Sequence, residues 1–249
     1  MIDIHAHILP GIDDGAEDLD SALEMAALAA ESGVTLLAAT PHCVEFARQP
    51  NLWGPELMES IRDFQRELNC AGIALTIVPG MEIFGTENVP RLLKEKKMIG
   101  LNGSNYPLIE FPFYNYGGRA TEILEEIVAL GMRPVVAHPE RYLYVQEDPG
   151  ILNLWVEMGC LLQVNKGSLL GRFGQYEERL AYELVDRGFA FTVASDAHSP
   201  RQRTTWMLDV ERMLREEFSD RAAEVLLKRN PMKLINNETI QWKEPHWFR

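Results

Sequence analysis

The chain has 249 residues, of which 46% are hydrophobic and 24% charged, and its formal net charge is −13. That length suits one α/β barrel, and the acidity excludes a nucleic-acid surface or an anionic membrane surface, both of which need clustered Lys and Arg. A negative field also repels anionic substrates unless bound divalent cations reverse the local sign.

In chain order, a first β-like run covers Ile2–His5, with no basic region or long apolar stretch of the kind that marks a leader. A helical pattern then alternates with a β-like run five times. SALEMAALAAESG leads into VTLLAATPH, and ELMESIRDFQRELNCAG into IALTIVPGMEI. After a further strand over Pro107–Phe111, TEILEEIVALG leads into MRPVVAHPE, LNLWVEMG into CLLQVNKG, and RLAYELVDRG into FAFTVASDAH. Apolar residues at helical spacing give each helix one core-facing side. Ser21 and Glu24 form a capping-box pattern at the first helix. Gly33, Gly72, Gly131, Gly159 and Gly188 stand where a left-handed residue closes a helix. The runs that follow are almost wholly apolar, as in parallel strands covered on both faces. About seven parallel strands result, one fewer than the usual barrel. No G-x-G-x-x-G or Walker loop favours an open doubly wound sheet. The expected fold is therefore a distorted seven-stranded (β/α) barrel, one domain over residues 1–249, with a tail over 240–249. The longest apolar runs, such as Val34–Ala39, are too short to cross a bilayer. Cys43, Cys70 and Cys160 stand at unrelated spacings and read as reduced thiols of a cytoplasmic protein.

The polar residues gather at the ends of these runs. They are His5 and His7, with Asp13 and Asp14 beyond; His42; Glu82; Glu110; His138; Gln163 and Asn165; and Asp196 with His198. Carboxyl ends of parallel strands share one face, so these distant residues are expected to converge. Five of the six histidines fall there, and only His246 lies elsewhere. His5 and His7 are two apart and point the same way from a strand. Singly, an H-x-H pair, a histidine before proline or Asp13-Asp14-Gly15 reads as a strand cap or a turn. Jointly they read as a metal site. Imidazole with carboxylate suits manganese, iron or zinc, and donors too numerous for one tetrahedral ion imply two or three divalent cations.

The segments MIDIHAHILPGIDDG, ATPHC, PGMEI, PLIEFP, VVAHPERY, LLQVNKGS and VASDAHS resemble the polymerase-and-histidinol-phosphatase (PHP) metallohydrolases. Within them, the chain is most similar to the bacterial tyrosine phosphatases of capsule and exopolysaccharide synthesis. The resemblance implies the PHP fold and a trinuclear site. One cation would be held by His5, His7, Glu82 and Asp196, and a second by Glu82, Glu110 and His138. A third would use Asp14, His42 and His198, and manganese is the first choice of metal. Asp14 and Glu110 stand where other branches often carry histidine, which favours the tyrosine phosphatase branch. The resemblance further implies phosphate-holding arginines at Arg141 and Arg203, with Arg201 a nearby competitor. It also implies a substrate in the phosphotyrosine-bearing tail of a bacterial tyrosine autokinase.

No cysteine is followed by arginine at the spacing a phosphocysteine route needs; Arg48 stands too close to Cys43. Cys70 and Cys160 read as core packing. Metal-assisted hydrolysis needs no nucleophilic side chain, and a phenolate leaves readily, its conjugate acid having a pKa of about 10. If a proton donor is needed, a metal-bound water or Asp196 is the candidate, since His42 and His198 cannot serve while they are ligands. Phe111, Phe113, Tyr114 and Tyr116 could line an aromatic pocket, though such clusters more often belong to a core. The alternatives are another phosphoesterase such as a histidinol-phosphate phosphatase, an amidohydrolase-type enzyme with Lys166 bridging its metals, and an inactive metal-stabilised accessory protein. The tail, with Trp242, Trp247 and Phe248, could pack on the barrel, bind a partner or stay free.

Overall fold

The computed structural model describes residues 1–114, 116–241 and 245–248. Its strands are β1 (Ile2–Ala6), β2 (Leu36–Ala39), β3 (His42–Cys43), β4 (Thr76–Pro79), β5 (Glu82–Phe84), β6 (Leu108–Glu110), β7 (Val135–Ala137), β8 (Leu161–Asn165) and β9 (Ala190–Ala194). The principal helices are α1 (Leu19–Glu31), α2 (Pro55–Cys70), α3 (Val89–Lys94), α4 (Gly117–Ala129), α5 (Leu143–Glu147), α6 (Ile151–Glu157), α7 (Lys166–Leu169), α8 (Gln175–Asp186) and α9 (Leu208–Glu217). Every strand pairing is parallel. One ladder runs β1-β2-β4 and the other β3-β5-β6-β7-β8-β9.

Nine segments make seven strand lines. The run VTLLAATPH is cut at Thr40–Pro41 into β2 and β3, and IALTIVPGMEI is cut at Gly80–Met81 into β4 and β5. Proline has no N–H to continue a ladder. At Gly80 a Cβ would lie only 2.8 Å from the Thr40 side chain, so the two kinks fit into each other. The barrel closes between its last and first strands. Asp196 N donates to His5 O at 2.8 Å, and His7 N donates to Ala197 O at 2.9 Å. The distorted seven-stranded barrel read from the sequence is the observed architecture.

The alternation of each strand sorts its side chains into two layers. Val136 and Leu162 face the helices, whereas Leu108, Val135, Ala137 and Leu161 meet Ile2, Ile4 and Phe191 inside the barrel. Two residues further along the inward rows, Leu108 gives way to Glu110 and Leu161 to Gln163, with Asn165 two residues beyond that. The barrel therefore has an apolar floor and a polar upper end. A register shift in β1 between Asp3 and Ala6 lets the strand carry Ile4 in the floor and His5 in the polar layer above it.

All five glycines expected to close helices have positive φ. The capping box at Ser21 and Glu24 is not formed. The helix starts earlier, and Asp18 is its N-cap, accepting from Ser21 N at 2.8 Å. A carboxylate three residues upstream captured a free N–H first. Cys43 and Cys160 are buried, but Cys70, at the end of α2, is exposed and is not core packing. Among the described residues no helix is long and apolar enough to cross a membrane.

Of the three alternatives for the tail, the structure takes packing on the barrel. Phe248 N donates to Asn153 Oδ1 at 3.0 Å, and Asn153 Nδ2 donates to Phe248 O at 2.9 Å. The Phe248 ring lies 4.8 Å from that of Phe189, and the Arg187 guanidinium lies over it at 4.7 Å. Trp242 lies outside the described residues. Phe248→Ala is expected to cost about 3 kcal/mol, in line with truncation of a buried aromatic. An unchanged urea midpoint in that variant would show that the tail adds nothing to stability.

Candidate metal centre

The loop after β1 shows how local chemistry builds the site. At Gly15 a Cβ would sit 2.1 Å from the His7 carbonyl oxygen, so only glycine lets the chain fold back here. Ala16 N then donates to His7 O at 3.0 Å. The turn delivers Asp13 beneath His7, with Asp13 Oδ2 2.7 Å from His7 Nδ1. Asp13 also accepts from His42 N at 2.9 Å and Gly15 N at 3.0 Å. Burial pushes the Asp13 carboxyl up, but His7 and the backbone donors outweigh it and hold the group down at about 2. Asp13 is thus a permanent anion that turns His7 Nε2 towards the barrel axis.

Glu82, at the start of β5, is the hub. Its Oε1 lies 3.2 Å from His5 Nε2 and 2.9 Å from His138 Nε2. Its Oε2 lies 3.1 Å from both His7 Nε2 and His42 Nδ1. One carboxylate therefore faces four imidazoles, two on each oxygen. Asp196 Oδ1 lies 3.5 Å from His5 Nε2 and 3.6 Å from His198 Nδ1. Asp14 Oδ1 lies 3.4 Å from His42 Nε2 and 3.5 Å from His198 Nε2.

Among the described residues three groups have donor atoms within 4.8 Å of one another: His5, His7, Glu82 and Asp196; His7, Asp14, His42 and His198; and His42, Glu82 and Glu110. The first is the set the resemblance implies, and the second is the implied set with His7 added. The third differs, because His42 takes the place expected of His138. Glu110 Oε2 is 3.7 Å from His42 Nδ1, while its Oε1 is 3.7 Å from His138 Nε2. The two histidines thus flank the Glu82–Glu110 pair from opposite oxygens. All nine expected residues converge on one basin.

The donors fit divalent cations and fit poorly without them. Burial, with the charges of Glu82 and Asp196, pushes the Glu110 carboxyl up to about 9, so the acids cannot all ionise side by side unaided. Burial and the positive charge of His7 push the His198 imidazole down to about 3, leaving it neutral and able to ligate. The buried Asp196 Oδ1 has no hydrogen-bond partner. Both His138 (φ 33°) and Asp196 (φ 48°) have left-handed backbones. For such residues this is strained, and strain of this kind gathers at functional sites.

A second layer fixes the first. Gln163 Oε1 is 2.9 Å from His5 Nδ1, and Gln163 Nε2 donates to Asn165 Oδ1 at 2.8 Å. Asn165 Nδ2 in turn donates to Asp196 Oδ2 at 2.6 Å. Arg141 Nη1 and Arg203 Nη2 reach the same oxygen at 3.3 Å and 2.5 Å. Three donors thus saturate Asp196 Oδ2 and leave Oδ1 for the basin. Burial pushes the Asp196 carboxyl up, but His5, His138 and Arg203 prevail and hold it well below the usual carboxylate range. Asp196, the candidate side chain for a proton donor, is thus held towards its ionised form by the partners around it.

Lys166 is also placed differently from the amidohydrolase alternative. Its buried ammonium donates to the Trp206 carbonyl and to Thr204 Oγ1, and it joins none of the three donor groups. Of the four aromatics considered for a pocket, Phe111 is core and Tyr116 donates to Gly85 O at 3.4 Å. Phe113 and Tyr114 line a cavity of about 250 Å³ beside Arg141. Arg201 is exposed and pairs with no acid among the described residues.

Residues 1–236 match the family of capsular polysaccharide synthesis proteins CpsB/CapC. The chain belongs to that family. Its relatives in the family include tyrosine-protein phosphatase YwqE of Bacillus subtilis, 34% identical over 98% of this chain and 95% of the relative. Tyrosine-protein phosphatase CpsB of Streptococcus pneumoniae is 28% identical over 96% of this chain and all of the relative. A crystal structure from work on YwqE and CpsB, described there as unique metal-dependent tyrosine phosphatases, superimposes with a TM-score of 0.93 at 34% identity, covering 100% of both chains. The barrel also resembles the organophosphorus hydrolase of Deinococcus radiodurans (TM-score 0.59, 15% identity), a likeness of fold alone.

Sequence reasoning placed Asp13 in the loop but gave it no task; an acid six residues after H-x-H was the available signal. Asp13→Ala is expected to lower metal affinity by about 10–100-fold, the usual effect of losing a partner that orients a ligand histidine. Calorimetric titration of the apoprotein reads this directly, and wild-type affinity in the variant would remove Asp13 from the site.

Proposed function

We propose that the protein is a metal-dependent protein-tyrosine phosphatase that hydrolyses phosphotyrosine on the tail of a bacterial tyrosine autokinase. The observation that carries this reading is the convergence of nine histidine, aspartate and glutamate side chains on one basin, four of whose imidazoles face the carboxylate of Glu82, with two arginines at its rim. Membership of the capsular polysaccharide synthesis family supports the choice of partner. The cytoplasm is the compartment in which this reading puts the reaction.

In this reading the ligands are His5, His7, Asp14, His42, Glu82, Glu110, His138, Asp196 and His198, and they hold two or three divalent ions, manganese first among them. When bound, such cations supply a Lewis acid for phosphoryl oxygens and acidify a water. The reaction adds water at phosphorus, breaks the bond to the phenolic oxygen and yields tyrosine and inorganic phosphate. Arg141 and Arg203 donate to the non-bridging oxygens, for which a planar guanidinium offers a matching fork. Asp196 holds both arginines by one oxygen and keeps the other for a cation. The phenolate, whose conjugate acid has a pKa of about 10, leaves without strong general-acid help. That agrees with an Asp196 carboxylate held well below the usual range by His5, His138 and Arg203.

No thiol takes part. Cys43 is buried and its thiol is pushed up to about 12, by burial first and then by the charge of Glu45; a thiol in that state is a poor nucleophile.

A chelator is expected to abolish hydrolysis of a phosphotyrosyl peptide, and iodoacetamide to leave it intact. Full turnover after metal stripping would refute the proposal. His138→Ala is expected to lose metal and to lower kcat by at least about 100-fold, as when an electrostatic element of a transition-state site is removed. A variant with normal metal content and turnover would defeat the ligand set.

A further inference from the structure

The two arginines share a second partner, the ring of Phe173. The Arg141 guanidinium carbon lies 4.6 Å from the Phe173 ring centre and 4.8 Å from that of Phe113. The Arg203 guanidinium lies 5.8 Å from the same Phe173 ring. Phe173 is itself held from behind. A Cβ on Gly167 would stand 2.6 Å from its Cε2, so the ring rests directly on backbone at the start of α7. Arg172 N donates to Gly167 O at 2.9 Å, and Arg172 Nη2 donates to Asp209 Oδ2 at 2.9 Å. The preceding residue is thereby anchored at both ends.

The geometry points to Phe173 as the positioning residue that holds Arg141 and Arg203 as a two-pronged clamp for the phosphoryl group. The inference rests on the reading of these arginines as phosphate holders. Asp196 Oδ2 alone cannot fix Arg141, because an ion pair to one oxygen leaves its guanidinium free to swing about that contact, whereas Arg203 is also held by donation from its Nε to the Asp196 carbonyl at 3.1 Å. A ring face adds the missing restraint. It attracts the cation through its quadrupole and limits the guanidinium plane to a few orientations. Holding side chains ready before the ligand arrives removes the ordering cost from the binding step. Phe173 touches neither the metal basin nor the reacting atoms, so its effect passes through the arginines.

The test uses metal-loaded full-length protein and inorganic phosphate as the probe, so the readout does not depend on turnover. Phe173→Leu keeps an apolar side chain on Gly167 and removes the ring. Phosphate affinity by calorimetry is expected to fall about tenfold, as loss of two partly desolvated cation–π contacts implies. Metal content should be unchanged, and KM for p-nitrophenyl phosphate should rise more than kcat falls. Phe173→Tyr should restore phosphate affinity, and in an Arg141→Ala background the effect of Phe173→Leu should shrink, since contacting residues are not additive. Phe173→Met provides a second ring-free variant should leucine impair folding. Wild-type phosphate affinity in both ring-free variants, or a loss of bound metal in them, would overturn the assignment. If wild-type protein binds phosphate in a Phe173-dependent way yet fails to hydrolyse aryl phosphates, the phosphatase reading falls and the clamp stands.

Discussion

Four carboxylates and five imidazoles share one largely buried basin, and the repulsion among the carboxylates is the constraint around which the barrel is arranged. Acids at this spacing cannot all be ionised in a weakly polarisable interior without a compensating charge. Glu82 shows the consequence, with two imidazole nitrogens on each of its oxygens. Glu110, pushed up to about 9, shows the cost when compensation is missing. Bound divalent cations would resolve both. The same cations would reverse the local sign in a chain of net charge −13, letting an acidic protein attract a dianionic phosphate.

The protein uses its remaining polar groups to direct each donor inward. Asp13 turns His7, Gln163 turns His5, and Asn165 with two arginines occupies the outer oxygen of Asp196. The apolar floor of the barrel supports this layer from beneath. The left-handed backbones of His138 and Asp196 spend some conformational stability on aim, which the closed barrel can bear. Function and fold meet in β1, where a register shift brings His5 into the polar layer above Ile4.

Much of this was legible in the sequence because it follows from period and position. Helix–glycine–strand repeats gave the barrel, and parallel strands guarantee that residues at their carboxyl ends meet. The breaks at Thr40–Pro41 and Gly80–Met81 were not legible, because each depends on the other chain segment packed against it. The capping box failed because Asp18 and Ser21 are both able caps, and the start of the helix decides between them. The allocation of His42 and His138 around Glu110 depends on which oxygen each imidazole faces, which spacing does not encode. Phe173 carries no local signal at all; its role arises only when the loops after β7, β8 and β9 come together.

The central claim is that cations occupy this basin, bridged by Glu82. Anomalous diffraction from crystals of the metal-loaded protein, recorded across the manganese, iron and zinc absorption edges, tests it most directly. The account predicts at least two anomalous peaks in the basin, with Glu82 oxygens on both and Asp196 Oδ1 on one. Peaks found only at surface carboxylates, with the nine donors bonded to one another and to water, would contradict it.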